Sequence, residues 1–381
     1  MAGIGVKMGV SVHIPAFWQE YAHWIIIGTC IVTKRIGVPD CVAGGSGATP
    51  AGMFLPVPHL IVQPDDGVAP VLDFIGLARE SLLIKQFTFT QPEILKAVVD
   101  RHAAGVNVQV MLNPKRSGGD RANDETFEFF RGAGIAIKWA SPKFYVTHEK
   151  SIVVDGKAAL IATFNLCQKY FTLTRDYGVV VQEPEKVAQV VEGFHADWAE
   201  EDWRPSPASG LIWSNNNSRE AMSRFIDSAR ETLDVQHPKF VDATILDRIL
   251  EARDRGAEVR ILCGGKHGIS EWDILDTFSS LRVMRRAGVK VHKQKNLRLH
   301  AKLLIADSAH ALVGSMNIDR SAFDLRRELG TQVSDPGVVS RLQGVFDGDW
   351  ASSRRYDAPD PLDPSLHHED DFPHDPDLRH E

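Results

Sequence analysis

The sequence predicts an α/β fold built twice within one chain. Three observations carry this: self-similarity at a near-constant offset, alternating helix and strand patterns in each copy, and a length of 381 residues, more than one hydrophobic core usually organises. Ala78-Arg79-Glu80-Ser81-Leu82 returns as Ala229-Arg230-Glu231-Thr232-Leu233, and Ala104-Gly105-Val106 as Arg255-Gly256-Ala257, both 151 residues later. One insertion further on the offset is 152. His148 then aligns with His300, Asp155 with Asp307, Asn165 with Asn317, and a Phe-x-x-Asp-Trp ending at Trp198 with one ending at Trp350.

Each copy opens with a helical pattern, 71–81 and 218–232, followed by a short strand and a second helix near 94–104 or 245–255. That second helix closes at Gly105 or Gly256, as a helix C-terminus should. The next segments, 106–112 and 257–263, alternate apolar and polar residues like strands. The alternation of helix and strand argues for layered α/β units. Pro205, Ser206, Pro207, Ser209 and Gly210 mark a boundary between the copies. The expected divisions are a poorly structured extension 1–55, a first repeat 56–203, a second repeat 211–352 and a disordered acidic tail 357–381. Met53, directly before Phe54-Leu55-Pro56, is a plausible start of the ordered part.

Composition excludes several classes. With 43% hydrophobic and 24% charged residues the chain is neither wholly disordered nor a membrane bundle. The formal net charge of −7 argues against an overall basic nucleic-acid binder, but the segment from Asp357 onward holds nine acidic residues and one Arg, leaving a near-neutral body. Four scattered cysteines, Cys30, Cys41, Cys167 and Cys263, form neither a disulfide framework nor a zinc pair. The apolar run from Trp24 to Val32 is too short to span a bilayer, which takes roughly 20 residues. Only Lys7 supplies an n-region charge, so export is a minority reading beside a cytoplasmic or membrane-peripheral location. His367, His368, His374 and His380 read as part of a solvated tail in preference to a metal site.

The chemistry sits in two segments, His148-Glu149-Lys150-Ser151-Ile152-Val153-Val154-Asp155 and His300-Ala301-Lys302-Leu303-Leu304-Ile305-Ala306-Asp307. Residues two apart on a strand share a face, so His148 projects with Lys150 and His300 with Lys302. Asp155-Gly156 is a hairpin dipeptide, with Asp307-Ser308 in the same place. A two-residue loop sets Thr163 opposite His148 and Ser315 opposite His300, with an Asn two residues beyond each hydroxyl. Asp155 then lies roughly 16 Å from Lys150, which suits a turn or structural partner better than a reacting group. Asp176 and Glu328, 28 residues after each His, supply carboxylates able to set an imidazole's tautomer and stabilise its cation.

These residues resemble the phospholipase D superfamily, whose signature is a duplicated H-x-K-x-x-x-x-D followed by Gly-Ser-x-Asn. The resemblance covers about residues 56–352. Gly314-Ser315-Met316-Asn317 matches fully, whereas the first copy has Ala162-Thr163-Phe164-Asn165, which keeps the hydroxyl but adds a Cβ. The resemblance implies two tandem, pseudo-twofold-related units, each a mixed sheet flanked by helices, with one active site at their interface. It implies metal-independent phosphodiester cleavage or transfer without a cofactor, through a covalent phosphohistidine. By that resemblance His148 is the nucleophile and His300 the acid. The catalytic set is His148, Lys150, Asp155, Asp176, His300, Lys302, Asp307 and Glu328, and the phosphate-binding set Asn165, Asn317, Thr163 and Ser315. Each Lys and Asn would contribute on the order of 3 kcal/mol to the transition state.

The function expected is a phosphoric diester hydrolase of the phospholipase D type acting on glycerophospholipids, by hydrolysis or transphosphatidylation. The alternatives are a nuclease of the same superfamily and a catalytically silent phosphate- or lipid-binding module. A transferase like cardiolipin synthase ranks lower, because those enzymes typically carry N-terminal membrane helices. The partners expected are a phospholipid or other phosphodiester and a peripheral membrane surface, with nucleic acid only under the nuclease alternative. Both half-sites lie in one chain, so a monomer is expected. Headgroup contacts are assigned to long loops, 115–126 and 264–280. Phe144 and Tyr145 stay outside the site set; Lys293, Lys295 and Arg298 read equally as an anion-attracting or a merely solvated edge. Trp18, Trp24 and Ile25 to Ile27 read as a buried or disordered extension more than a membrane contact.

Overall fold

The computed structural model describes residues 59–363 apart from 117, 118, 266–268 and 270. The expected N-terminal extension, its Trp18 and Trp24 stretch, the Met53 start and the four tail histidines lie outside the described residues.

The first repeat runs β1 (Leu60–Gln63), α1 (Ala69–Gly76), β2 (Ser81–Gln86), α2 (Pro92–Ala103), β3 (Asn107–Leu112), α3 (Asp124–Gly132), β4 (Ala136–Trp139), β5 (Ser151–Val154), β6 (Ala158–Ala162), α4 (Gln168–Thr172), β7 (Thr174–Val181) and α5 (Pro184–Ala199). The second runs β8 (Leu211–Trp213), α6 (Ser218–Ser228), β9 (Thr232–Gln236), α7 (Ala243–Asp254), β10 (Glu258–Cys263), α8 (Glu271–Arg286), β11 (Lys290–Lys293), β12 (Arg298–Leu299), β13 (Leu303–Ala306), β14 (His310–Gly314), α9 (Arg320–Asp324), β15 (Leu329–Val333), α10 (Pro336–Ser352) and β16 (Arg354–Arg355). The sheet orders are β1-β7-β6-β5-β2-β3-β4 and β8-β15-β14-β13-β9-β10-β11, strand for strand the same, with β16 added at the edge of the second. Both sheets are mixed: β2, β3 and β4 pair in parallel, β5, β6 and β7 antiparallel.

β5 and β13 are buried along their whole length. Their apolar runs, Ile152-Val153-Val154 and Leu303-Leu304-Ile305, are what a strand covered on both faces requires. One core is shared by both repeats: Val153, Ile161 and Phe194 of the first pack with Leu303, Val313 and Phe346 of the second. A further cluster, with Val235, Ile261 and Leu304, fills the other face of the second sheet beneath α6, α7 and α8.

Four expectations need correction. The opening helices stop at Gly76 and Ser228, well short of 81 and 232. Past those ends the backbone amides of Arg79, Glu80 and Ser81 donate to the Asp155 carboxylate at 2.8–3.1 Å, and those of Arg230, Glu231 and Thr232 to Asp307, also at 2.8–3.1 Å. Amides captured by a side chain cannot continue a helix. The hairpin register is also one residue off the two-residue-loop expectation, since Val154 faces Ala158 and Ala306 faces His310. Asp155 and Gly156, and likewise Asp307 and Ser308, sit at positive φ, and a third residue joins the connection before pairing resumes. Finally, residues 357–363 are not a loose tail. Ala358 is buried in the second repeat, Arg282 holds its carbonyl and Asp360, and Arg285 pairs with Asp357. The expected specificity loops shorten too, because α3 begins at Asp124 and α8 covers Glu271–Arg286.

Candidate active site

The two repeats exchange backbone at the site. Thr147 bridges in parallel to Arg327, and β12 pairs in parallel with β7 through Arg298 with Thr174 and Leu299 with Arg175. The amide of His148 donates to the Arg327 carbonyl at 2.8 Å, and that of His300 to the Arg175 carbonyl at 3.3 Å. Each histidine is therefore anchored by the residue preceding a carboxylate of the opposite repeat. The side chains follow: His148 Nδ1 lies 2.9 Å from Glu328 Oε2, and His300 Nδ1 lies 2.7 Å from Asp176 Oδ1. Repeat spacing along the chain pointed to these acids but carried no sign that the pairs are crossed.

An Nδ1–H donated to a carboxylate leaves the Nε2 lone pair for chemistry. His148 Nε2 is buried with no hydrogen-bond partner, whereas His300 Nε2 is met by Lys302 Nζ at 2.8 Å. Lys150 and Lys302 each also donate to the carbonyl of their own histidine, at 2.6 and 2.7 Å. Asn165 and Asn317 both bury an amide oxygen without a partner. The ring of Phe87 stands edge-on to His148, and Tyr170 lies beside His300, walling both imidazoles from water.

Electrostatics make one cluster of these groups. Burial, and then the charges of Lys150, Arg326, Lys302 and His300, hold His148 well below the ordinary imidazole range. Burial drives His300 down to about 3, against the pull of Asp176, with Lys302 and Lys150 adding to the fall. Lys302 is itself depressed by burial and by Lys150. Burial works against ionisation of Asp176, but His300, Lys302 and the Thr163 hydroxyl outweigh it and keep the acid below its usual value. Burial wins at Glu328, which rises to about 7 despite Lys150, Arg326 and Ser315. The cluster thus gathers two imidazoles held toward their neutral forms among Lys150, Lys302 and Arg326.

Four of the expected site residues have other work. Asp155 and Asp307 cap the backbone amides described above and lie at the far end of the hairpins, so they are structural and not reacting groups. Backbone hydrogen bonds keep both carboxylates below their usual range against some burial. Thr163 Oγ1 donates to Asp176 at 2.5 Å and accepts from the Tyr177 amide, while Ser315 Oγ bonds the backbone of Leu329 and supports Glu328. These hydroxyls orient the acids and are spent before any phosphate arrives. The Ala162 side chain has room that position 314 lacks: Ala162 pairs with Gly178 and is buried, whereas a Cβ on Gly314 would stand 2.6 Å from Gly330 Cα.

Sequence reasoning missed a crossed pair of buried clasps. Arg327 binds Asp197 through two bonds at 2.7 and 2.8 Å, and Arg175 binds Asp349 at 2.8 and 3.1 Å. Asp197 and Asp349 are the acids of the repeated Phe-x-x-Asp-Trp, and each arginine directly precedes a histidine-bound carboxylate, so the signal lay in two repeated motifs read separately. Lys85 joins Asp197 and Glu149 on one side; Gln236 and Gln294 join Asp349 on the other.

Comparisons with known proteins give the family and the fold. The family model described as "Cardiolipin synthase, PLD-like domain" matches residues 71–198 and again 222–350. The chain belongs to the phospholipase D superfamily. Among curated members, Cardiolipin synthase 1 of Staphylococcus epidermidis is 23% identical over 327 residues, covering 74% of this chain and 66% of that protein. The Major cardiolipin synthase ClsA of Bacillus subtilis is 23% identical over 339 residues, covering 78% and 69%. The chain thus spans about two thirds of the length of these relatives. In fold it matches the crystal structure of phosphatidylserine synthase from Haemophilus influenzae, at TM-score 0.64 and 13% identity over 83% of this chain and 92% of that one. Among the described residues no helix is long and apolar enough to cross a membrane.

Proposed function

We propose that the protein is a phospholipase D-type phosphodiesterase that transfers the phosphatidyl group of glycerophospholipids to water or an alcohol. The crossed, unequal histidine pairs carry this reading. His148 Nε2, neutral and unpartnered, attacks phosphorus and forms a P–N bond while the P–O bond to the headgroup breaks. The departing oxygen takes its proton from His300. A phosphodiester anion entering the site raises the proton affinity of His300, and the Lys302 ammonium at its Nε2 is the nearest proton to share. His300, left neutral, then accepts a proton from the incoming water or alcohol, whose oxygen displaces His148. Lys150, Asn165 and Asn317 hold the non-bridging oxygens, and Asp176 and Glu328 keep each imidazole in its working tautomer.

Similarity to proteins named cardiolipin synthases supports a glycerophospholipid substrate and returns to favour the transferase reading that the sequence had ranked lower. A second feature supports a bilayer as the source. Tyr145, Leu173 and Leu325 are large apolar residues 61%, 49% and 53% exposed, and each stands three residues ahead of a catalytic residue, His148, Asp176 or Glu328. The Tyr145 amide donates to the Leu325 carbonyl and the Arg298 amide to that of Leu173, so the two equivalent leucines are held alike by donors one residue out of step. Such a rim beside the site fits insertion among lipid headgroups.

The test is turnover in EDTA of bis(p-nitrophenyl) phosphate, mixed phospholipid vesicles, and DNA and RNA in parallel. Released headgroup or phosphatidyl transfer to added glycerol, with nucleic acid intact and activity lost in His148→Ala, is the expected result. Degraded nucleic acid with intact lipid, or a requirement for added divalent metal, overturns it.

A further inference from the structure

Arg326 breaks the symmetry of the site, and its surroundings assign it a ligand. Position 326 is the repeat counterpart of Thr174, both lying two residues before a catalytic carboxylate. In extended backbone those residues share a face. The first repeat displays the consequence, since Thr174 Oγ1 donates to Asp176 Oδ2 at 2.6 Å. The second repeat carries a guanidinium where the first carries that hydroxyl.

The guanidinium is buried, with the residue 3% exposed, and its backbone is pinned by Ser321 and by the Ser214 hydroxyl. Its Nε and Nη1 are buried with no hydrogen-bond partner. Four other buried cations each meet an acid: Arg327 meets Asp197, Arg175 meets Asp349, Lys85 meets Glu149 and Asp197, and Lys239 meets Asp273 and Asp319. Of the two acids that feel the Arg326 charge, Asp319 is committed to Lys239 and to capping α9 through the Ala322 amide, and Glu328 is committed to His148. A buried guanidinium left without an anion is costly, and such a group persists where a ligand supplies the partner. Arginine's planar donors suit phosphate and carboxylate oxygens.

In the phosphatidyl-transfer reading the reacting phosphoryl is already served by Lys150, Asn165 and Asn317, which draw on both repeats. A phosphodiester's two ester arms differ, and a cation present on one side alone answers to that difference. We propose that Arg326 binds a second anionic group, a phosphate or carboxylate on the polar arm of the lipid or on the acceptor alcohol. The inference rests on the phosphatidyl-transfer reading and names its substrate class: lipids or acceptors with a negative charge beyond the reacting diester.

The experiment compares wild type with Arg326→Thr, the residue of the other repeat, and Arg326→Lys. kcat/KM is measured on phosphatidylserine and cardiolipin against phosphatidylglycerol and phosphatidylcholine in the same mixed micelles, and transfer to glycerol 3-phosphate against glycerol. The ratio favouring the anionic arm should fall on the order of 100-fold in Arg326→Thr and less in Arg326→Lys. A uniform fall across all substrates, or an unchanged ratio, overturns the proposal. Calorimetric titration with inorganic pyrophosphate and with inorganic phosphate separates it from the activity itself. If wild type turns over no lipid, the phosphatidyl-transfer reading fails. Arg326 is still upheld if a pyrophosphate preference in wild type vanishes in Arg326→Thr, and is overturned if that preference is absent or survives the substitution.

Discussion

The two half-sites use the same residues by type and hold them in different states. His300 answers to an Asp flanked by two hydroxyls, Thr163 and Thr174, and shares its Nε2 with Lys302. His148 answers to a longer Glu, raised to about 7, beside the unmatched Arg326, and its Nε2 is free. Duplicated sequence therefore yields a divided pair, one imidazole with an open lone pair and one already wired to a proton source. Under the proposed chemistry, the near-twofold symmetry would position the phosphoryl group and the departures from it would assign the roles.

The sharpest way to break that comparison is to exchange leaving groups. His148→Ala should lose on the order of 10⁴-fold or more in kcat on every substrate, because no nucleophile remains. His300→Ala should lose as much on lipids yet recover at least about 100-fold on a p-nitrophenyl ester, whose leaving oxygen needs no proton. Equal recovery in both variants would make the histidines interchangeable and dissolve the asymmetry.

The clasps come next. Asp197→Asn leaves Arg327 and Lys85 short of an anion, and Asp349→Asn leaves Arg175 so; each should lower unfolding free energy by about 3–5 kcal/mol in denaturant titrations. Asp197→Asn should cost more, since Lys85 loses a partner as well. The glycine contrast is smaller. Gly314→Ala should cost about 2–3 kcal/mol through its clash with Gly330, and Ala162→Gly less than about 1 kcal/mol.

A pH series sharpens the carboxylate difference. Glu328 is raised in the fold, so its contribution to stability is complete below about pH 4.5 and is lost as pH climbs through about 7. Asp176 is lowered, so its contribution stands above its unfolded value near 3.8 and disappears on acidification. The change in Tm caused by Glu328→Gln should accordingly be more favourable at pH 8 than at pH 5, and that caused by Asp176→Asn should be more damaging at pH 7 than at pH 3.

Much of this was legible in the chain because repetition doubles every signal. The two units, their alternation of helix and strand, the paired histidines and lysines, and the acids 28 residues on all follow from one offset. What stayed hidden depended on which copy touches which. Asp176 and Glu328 sit at the same spacing in both repeats, so nothing along the chain says that each serves the other's histidine. Thr163 and Ser315 were placed by assuming a two-residue loop; three residues join the strands, and the hydroxyls turned to the carboxylates. Asp155 and Asp307 looked like motif members, yet their amide contacts end the first helix of each repeat, a tertiary override of a helical pattern that otherwise ran on. Arg326 was passed over because no repeat partner shares its type.

The crossed anchoring also bears on when the molecule can act. Glu328 follows His148 by 180 residues, so a ribosome-bound chain that has released only its first unit holds an imidazole with no acid to set its proton and no Arg327 carbonyl to seat its backbone. Under the proposed chemistry, the His148 half-site is complete only once the second repeat has been synthesised through Glu328.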